Sequence, residues 1–250
     1  MKHKSKKWML QTKRADFRKI SEKFGISPVL ARCIVNREVQ EEEIGNYIHA
    51  DWRQLHSPWL FKDMAKAVQI LRENREKLVA ISSDFDCDGI FSAIILKKGL
   101  EKVGIRSEIY TPDRVAEGYG VNRRIVDEAT EAGAEILLTC DNGIAANEEI
   151  RYAKEKGIDF IICDHHVPDD ILPPAVAILN AKRLDNTYPY THLSGCGVGF
   201  KFMQAFAISN GIEFHHLIPL LDIVAVSIAS DIVPIMGENR ILAYHGLKQL

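Results

Sequence analysis

Long apolar runs are missing from this 250-residue chain. No stretch reaches the roughly eighteen residues that a helix needs to span a bilayer, which excludes a membrane-spanning helix. The basic amino terminus (Lys2, Lys4, Lys6, Lys7) is followed by no apolar segment, so it is not a secretory signal. Charge of one sign is lacking too. Lys plus Arg number 32 against 34 Asp plus Glu, a net charge of -2. Bulk charge therefore points to no nucleic-acid partner, although divalent cations held by carboxylates would reverse the local sign and hide one. Paired cysteine spacing is absent. The five cysteines (Cys33, Cys87, Cys140, Cys163, Cys196) are odd in number and form no C-x-x-C. That argues against a disulfide framework and a zinc site and suits a reducing compartment; the expected location is cytoplasmic. No internal repeat or low-complexity tract occurs.

What is present is an ordinary globular composition, 46% hydrophobic and 26% charged, enough for one large domain or two small ones. Residues 1–60 read as a small helical lead-in, with Phe17, Ile20, Phe24 and then Leu30, Ile34, Val35 at helical spacing. Glu41-Glu42-Glu43 reads as a helix N-terminal region, where the dipole favours acids. From Asp63 onward helices and strands alternate. Helices are expected over 63–75 (Asp63 as N-cap), 90–103, 123–132 (capped by Asn122) and 146–156. Strands are expected over 78–83, 107–111, 135–140, 159–163 and 175–179. This alternation implies right-handed crossovers and an α/β fold, a parallel sheet flanked by helices. The near-continuous apolar character of the strands agrees with burial on both faces. Two further helices are expected over 200–209 and 216–230. The chain stops inside another expected helix with no cap, as a piece of a longer protein would.

Asp84-Phe85-Asp86-Cys87-Asp88-Gly89 places three carboxylates at alternate positions after the apolar run Leu78–Ile81. Unpaired, those oxygens repel one another unless a cation sits among them. An EF-hand loop opens the same way but needs a Glu at its twelfth position, here Ile95, and follows a helix rather than a strand. A solvated acidic turn stays open on this motif alone.

Three more apolar runs end in aspartate. Ile136–Cys140 ends in Asp141, Phe160–Cys163 in Asp164 followed by His165 and His166, and Val224–Ser230 in Asp231. In open parallel sheets ligands bind beyond the carboxyl ends of the strands, so the strand-borne acids would meet at one edge. The last run reads as a helix whose C-terminal end reaches the same place. A carboxylate there opposes the dipole unless a cation compensates. Each Asp alone could be a cap or turn former; four together with a His pair point to a shared metal centre. The donors are mostly oxygen with one or two imidazoles and no convincing thiolate, which selects Mn²⁺ or Mg²⁺ over zinc. The carboxylate count exceeds the needs of one ion and suits two, about 3.5–4 Å apart, as in phosphodiester-cleaving sites. Cys87, Cys140 and Cys163 read as small packing residues.

These residues resemble motifs of a known family. Asp84-x-Asp86-x-Asp88-Gly89, Asp141-Asn142-Gly143-Ile144, Asp164-His165-His166 and Asp231 look like the four motifs of the DHH phosphoesterases. Within them the chain is similar to the RecJ exonucleases through Pro112–Gly120, Ser194–Lys201 and Asp231–Pro234 running on to Gly237–Arg240. The likeness runs from about residue 25 to the end. Ser83 stands where a Gly is usual and Asn142 where a Cys is common; both leave the acids intact. The family's second catalytic-side domain and oligonucleotide-binding fold are expected elsewhere. The implied layout is a DHH domain over 61–235 and the start of a linker helix over 236–250.

The resemblance implies one ion held by Asp84, Asp86 and Asp141 and a second held by Asp88, Asp141, His165 and Asp231, with Asp141 bridging. It implies that His166 meets the phosphate or helps the leaving group, that Asp164 fixes an imidazole tautomer, and that Arg114 meets a substrate phosphate. Tyr119, Phe200 and Trp59 are nominees for base stacking, each with core packing as the competing reading. The implied activity is metal-dependent 5′→3′ hydrolysis of single-stranded DNA in repair and recombination, in line and without a protein nucleophile. The implied partners are single-stranded DNA, a helicase and a single-strand-binding protein, with the chain itself a monomer and no membrane partner. Two alternatives share the fold: a phosphoesterase of short oligonucleotides or cyclic dinucleotides, and a catalytically weak scaffold. The filled ligand positions argue against the scaffold.

Overall fold

The structure, a computed structural model, describes Met9 and residues 13–250; Lys2, Lys4, Lys6 and Lys7 lie outside the described residues. The chain divides into two compact units at Asp51/Trp52. The first holds α1 (Phe17–Phe24), α2 (Pro28–Asn36) and α3 (Ile44–His49). Asp16 and Ser27 cap α1 and α2 by accepting the Lys19 and Leu30 N–H groups. Glu41–Glu43 forms a 3₁₀ turn leading into α3.

The second unit runs α4 (Met64–Glu73), β1 (Leu78–Ser83), α5 (Cys87–Glu101), β2 (Ser107–Tyr110), α6 (Arg123–Glu131), β3 (Ala134–Cys140), α7 (Asn147–Glu155), β4 (Asp159–Cys163), β5 (Ala177–Leu179), α8 (Gly195–Ser209), α9 (Leu221–Ser230) and α10 (Gly237–Gly246). The strands form one sheet in the order β2-β1-β3-β4-β5, every pair parallel, as the helix–strand alternation predicts. Successive side chains leave opposite faces, so two cores form. Val79, Ile81, Leu138 and Ile161 pack with α4, α5, α8 and α9. Ala80, Leu137, Phe160 and Ile162 pack with α6 and α7 on the other face.

Two helices begin before their expected starts, and both shifts shape the site. α5 opens at Cys87, with Asp86 as its N-cap accepting the Gly89 N–H at 2.9 Å. Asp88 and Gly89 are therefore helical, although both residue types are weak helix formers. α8 opens at Gly195 under a Ser194 cap that accepts the Gly197 N–H at 3.1 Å. Its three early glycines mask it in the sequence. The expected helix 216–230 is shorter: Pro219 sits in a 3₁₀ segment, Ile218–Leu220, and α9 follows it. Asp63 occupies the expected N-cap position of α4, but its side chain makes no capping hydrogen bond. Its carboxylate instead accepts the Ile178 N–H and the Arg183 guanidinium, fastening β5 to the head of α4.

Candidate metal centre

Register delivers the strand-borne acids. Ser83 pairs with Cys140, Cys140 with Cys163 and Cys163 with Leu179. The next residues, Asp84, Asp141, Asp164 and Asn180, thus emerge side by side at the carboxyl edge. In this strand order the topological switch lies between β1 and β3, where ligands of open α/β sheets bind, and Asp84 and Asp141 flank it. Asp141 continues the ladder by donating its N–H to the Cys163 carbonyl at 3.0 Å, then turns left-handed at φ 61. Asp tolerates that conformation better than most residues. Gly143 completes the turn at φ +103, where a Cβ would lie 2.6 Å from Thr139 Oγ1. Asn142 is buried and donates to the Ser82 and Cys140 carbonyls, while Ser83 Oγ pairs with Thr111 Oγ1.

His165 is also buried. Its Nδ1 lies 3.1 Å from the Leu193 carbonyl, which can only accept, so Nδ1 carries the proton and Nε2 presents a lone pair. That Nε2 lies 3.0 Å from Asp141 Oδ1, 3.7 Å from Asp231 Oδ2 and 3.8 Å from Asp88 Oδ2. Among the described residues, neither His165 Nε2 nor Asp141 Oδ1 has a hydrogen-bond partner. Two buried acceptors facing each other are costly unless a cation or proton lies between them. Two groups of donors converge within 4.8 Å: Asp141, His165 and His166, and Asp88, His165 and Asp231.

Asp88 is buried and tightly held. Its Oδ2 accepts the Gly195 N–H at 2.7 Å; its Oδ1 accepts the Cys196 N–H at 2.8 Å and the Ser227 hydroxyl at 2.6 Å. It seats the positive N-terminal end of α8 against the centre. A carboxylate offers about four lone-pair sites, so one on Oδ2 remains. Asp86 is exposed and spends one oxygen on its cap; Asp84 is buried and accepts the Phe85 N–H at 2.7 Å. Neither belongs to the two converging groups. Asp231 stands at the C-terminal end of α9, a quarter exposed.

Asp164 is buried and holds the neighbouring ring. Its Oδ1 accepts His166 Nδ1 at 2.7 Å and the His165 and His166 N–H groups; its Oδ2 accepts the Ile144 N–H. The His166 side chain is 57% exposed, with Nε2 as its remaining ring nitrogen. Arg114 is exposed and stacks over Phe85, 5.3 Å from the ring centroid, and Phe85 packs on Tyr119 at 4.7 Å. Tyr119 is 74% exposed and Trp59 40%, whereas Phe200 is fully buried, a core residue that packs on Phe214. A cleft of about 470 Å³ opens beside the acids, lined by Asp84, Asp141, Asp164, His166, Tyr119 and Glu149 among others.

The electrostatics fit a cation site. Burial, then Asp88 and Asp86, push Asp141 far above the usual carboxylate range. Burial likewise raises Asp84 and Asp231. Burial also opposes ionisation of Asp164, but the His166 imidazole and the N–H donors outweigh it and hold its carboxyl low. The hydrogen bond to Asp164 raises His166. Cys140, Cys163 and Cys196 are buried thiols pushed upward by desolvation, and none belongs to the two converging groups. Sequence reasoning missed Ser227, Gly195 and the Leu193 carbonyl. Only Gly195 carried a local signal, the glycine-rich stretch after Ser194.

The model of the DHH family N-terminal domain matches residues 78–228. The chain is 33% identical over 248 residues to the single-stranded-DNA-specific exonuclease RecJ of Bacillus subtilis, and 33% identical over 242 residues to that of Escherichia coli. These alignments cover 98% and 90% of this chain but only 31% and 41% of the relatives' lengths. Among solved structures, an exonuclease RecJ bound to manganese shares 30% identity at a TM-score of 0.69, covering 78% of this chain and 49% of that one. RecJ of Thermus thermophilus in complex with Mn²⁺ shares 26% identity at a TM-score of 0.74, covering 93% of this chain and 33% of that one. The family match takes in the whole sheet edge that gathers Asp84, Asp141 and Asp164, and the chain belongs to the DHH family.

Proposed function

We propose that this chain carries the catalytic centre of a metal-dependent 5′→3′ exonuclease acting on single-stranded DNA in repair and recombination, with residues 61–235 as its DHH domain. The observation that carries the reading is the pair of unpartnered buried atoms, Asp141 Oδ1 and His165 Nε2, facing each other at 3.0 Å. The names of the RecJ relatives support the substrate. Asp84, Asp86, Asp88, Asp141, His165 and Asp231 would hold two Mn²⁺ or Mg²⁺ ions, Asp141 serving both. When bound, such ions make water acidic enough to attack near neutral pH and neutralise charge on the phosphoryl oxygens.

The chain's own groups do the rest. Asp164 fixes the His166 ring so that Nε2 meets a phosphate oxygen or the leaving group. Arg114, steadied on Phe85, meets a second phosphate. Asp88 and α8 keep the floor of the site rigid. The setting proposed is cytoplasmic, with a monomer acting beside a helicase and a single-strand-binding protein.

The test uses the intact protein, Mn²⁺ and a 5′-phosphorylated single strand labelled at either end. Early release of the 5′ label as a mononucleotide, and its loss in Asp141→Ala, is the expected result. Release of the 3′ label first would refute the direction. Preference for a cyclic dinucleotide over the long strand would refute the substrate.

A further inference from the structure

Gly237-Glu238-Asn239-Arg240 marks the resemblance in the sequence, yet no residue of that stretch belongs to the centre described above. Asn239, in the first turn of α10, is 0% exposed. Its Nδ2 donates to the His192 carbonyl at 2.6 Å and to the Pro234 carbonyl at 3.1 Å. Both carbonyls lie in segments that end at the centre. One residue beyond His192, the Leu193 carbonyl accepts from His165 Nδ1 at 3.1 Å. Three residues before Pro234 stands Asp231, whose Oδ2 is 3.7 Å from His165 Nε2. One amide therefore ties the loop that orients the imidazole to the loop that carries the carboxylate.

We propose that Asn239 is a positioning residue of the metal centre, holding the Leu193 carbonyl and Asp231 in the arrangement that aims His165 Nε2 and Asp231 Oδ2 at one cation. This rests on the reading of His165 and Asp231 as ligands.

The chemistry rests on the amide nitrogen; among the described residues the buried Oδ1 has no hydrogen-bond partner. An amide nitrogen has two hydrogens, and here each goes to a carbonyl; aspartate offers only acceptors, and an apolar side chain offers nothing. The helix that carries it is anchored independently. Glu238 is 1% exposed and accepts from Lys201 Nζ at 2.7 Å, the His56 N–H at 2.9 Å and the Tyr188 hydroxyl. Tyr190 adds a hydroxyl bond to the same Pro234 carbonyl at 3.1 Å. With α10 fixed, the Asn239 amide sets the two loops rather than following them. Groups that orient an imidazole ligand typically change metal affinity by about 10–100-fold. Asn239 acts one link further out, so about tenfold is expected.

The test compares Asn239→Ala with wild type and with Leu71→Ala, a core truncation on the buried face of α4. Two quantities are read on the folded 250-residue chain: the imidazole ¹H–¹⁵N spectrum of His165 without metal, and the Mn²⁺ Kd by titration calorimetry. Asn239→Ala should lose the single Nδ1–H tautomer and raise the Mn²⁺ Kd about tenfold. Leu71→Ala should lower the Tm and move neither. Either readout unchanged in Asn239→Ala, or equal changes in Leu71→Ala, overturns the proposal. If Asn239→Ala does not fold, Asn239→Ser, with one donor in place of two, decides on the same criteria. Should the wild-type chain bind no Mn²⁺, the ligand reading fails, and the His165 spectrum alone decides whether Asn239 orients that ring.

Discussion

Gly195 lies so close to Asp141 that a Cβ on it would sit 2.6 Å from Asp141 Oδ1. The same glycine gives its N–H to Asp88 at 2.7 Å, so the first residue of α8 touches two of the gathered acids. Gly195→Ala gains helix propensity, about 1 kcal/mol. It must also displace the Asp141 carboxylate, an overpacking cost of about 1–3 kcal/mol. The expected outcome is a Tm that is unchanged or falls by a few degrees, with a marked loss of Mn²⁺ affinity, measured by calorimetry. Wild-type affinity would show that Asp141 moves freely and that α8 does not shape the site.

Proton linkage gives a second prediction, for the metal-free chain. Asp84, Asp141 and Asp231 are held above the ordinary carboxylate value of 3.8, first by burial. In the fold they keep protons that the unfolded chain has released, so stability falls as pH rises above that value. His166, held above its ordinary 6.5 by Asp164, adds in the same direction, because its contribution is lost as pH rises through the folded pKa. Asp164 acts only at lower pH: its stabilisation is fully present above 3.8 and is lost as pH falls through its lowered pKa, so it adds no slope above about pH 5. The Tm in EDTA should therefore decline between about pH 5 and pH 8. Millimolar Mn²⁺ should remove the decline, because the ion replaces those protons and binds only the native state. Parallel curves with and without Mn²⁺ would contradict this.

The sheet was legible because its signal is local. Leu78–Ser83 and Asp159–Cys163 are apolar runs bounded by turn residues, and both are strands over those same spans. The acids beyond them follow from register alone. The starts of α5 and α8 were not legible. Asp88, Gly195 and Gly197 are poor helix formers whose reason for being helical is tertiary: the acid seats the other helix's N–H groups, and the glycine leaves room for Asp141. Ser227 had no local signal, and Asn239 stood out only as part of the Gly237–Arg240 stretch, with nothing to show what it holds. Each acts through a partner more than 40 positions away, which no pattern of period 2 or 3.6 encodes. Tyr119 was ambiguous because an aromatic in a loop reads alike whether it packs or protrudes; here it protrudes.

A third prediction concerns the buried Lys201–Glu238 pair, 0% and 1% exposed at the side chains. Burial lowers Lys201, and Glu238 offsets that only in part. Lys201→Met leaves a buried carboxylate without its cation and should cost about 3–5 kcal/mol. Lys201→Met with Glu238→Leu removes both charges but orphans the His56 N–H and carbonyl and the Tyr188 hydroxyl. It should recover part of the loss and stay about 2 kcal/mol below wild type. Urea denaturation measures both. A double variant no better than the single would mean that the hydrogen bonds, not the charges, dominate.

Ile232 supplies the last prediction. It follows Asp231 at φ 56 and is 87% exposed, so a β-branched residue holds a left-handed conformation with little packing to repay it. Such strain costs about 1–2 kcal/mol. Asn adopts that conformation readily and loses nothing by exposure, so Ile232→Asn should stabilise the chain by about 1 kcal/mol. At this length that is a rise in Tm of about 2–4 °C. The backbone after Asp231 keeps its turn, so Mn²⁺ affinity should stay at the wild-type value. A rise in Tm with unchanged affinity places the strain in Ile232 itself. A fall in affinity would instead show that the strained turn is what aims Asp231, and that relaxing it lets the carboxylate drift from His165.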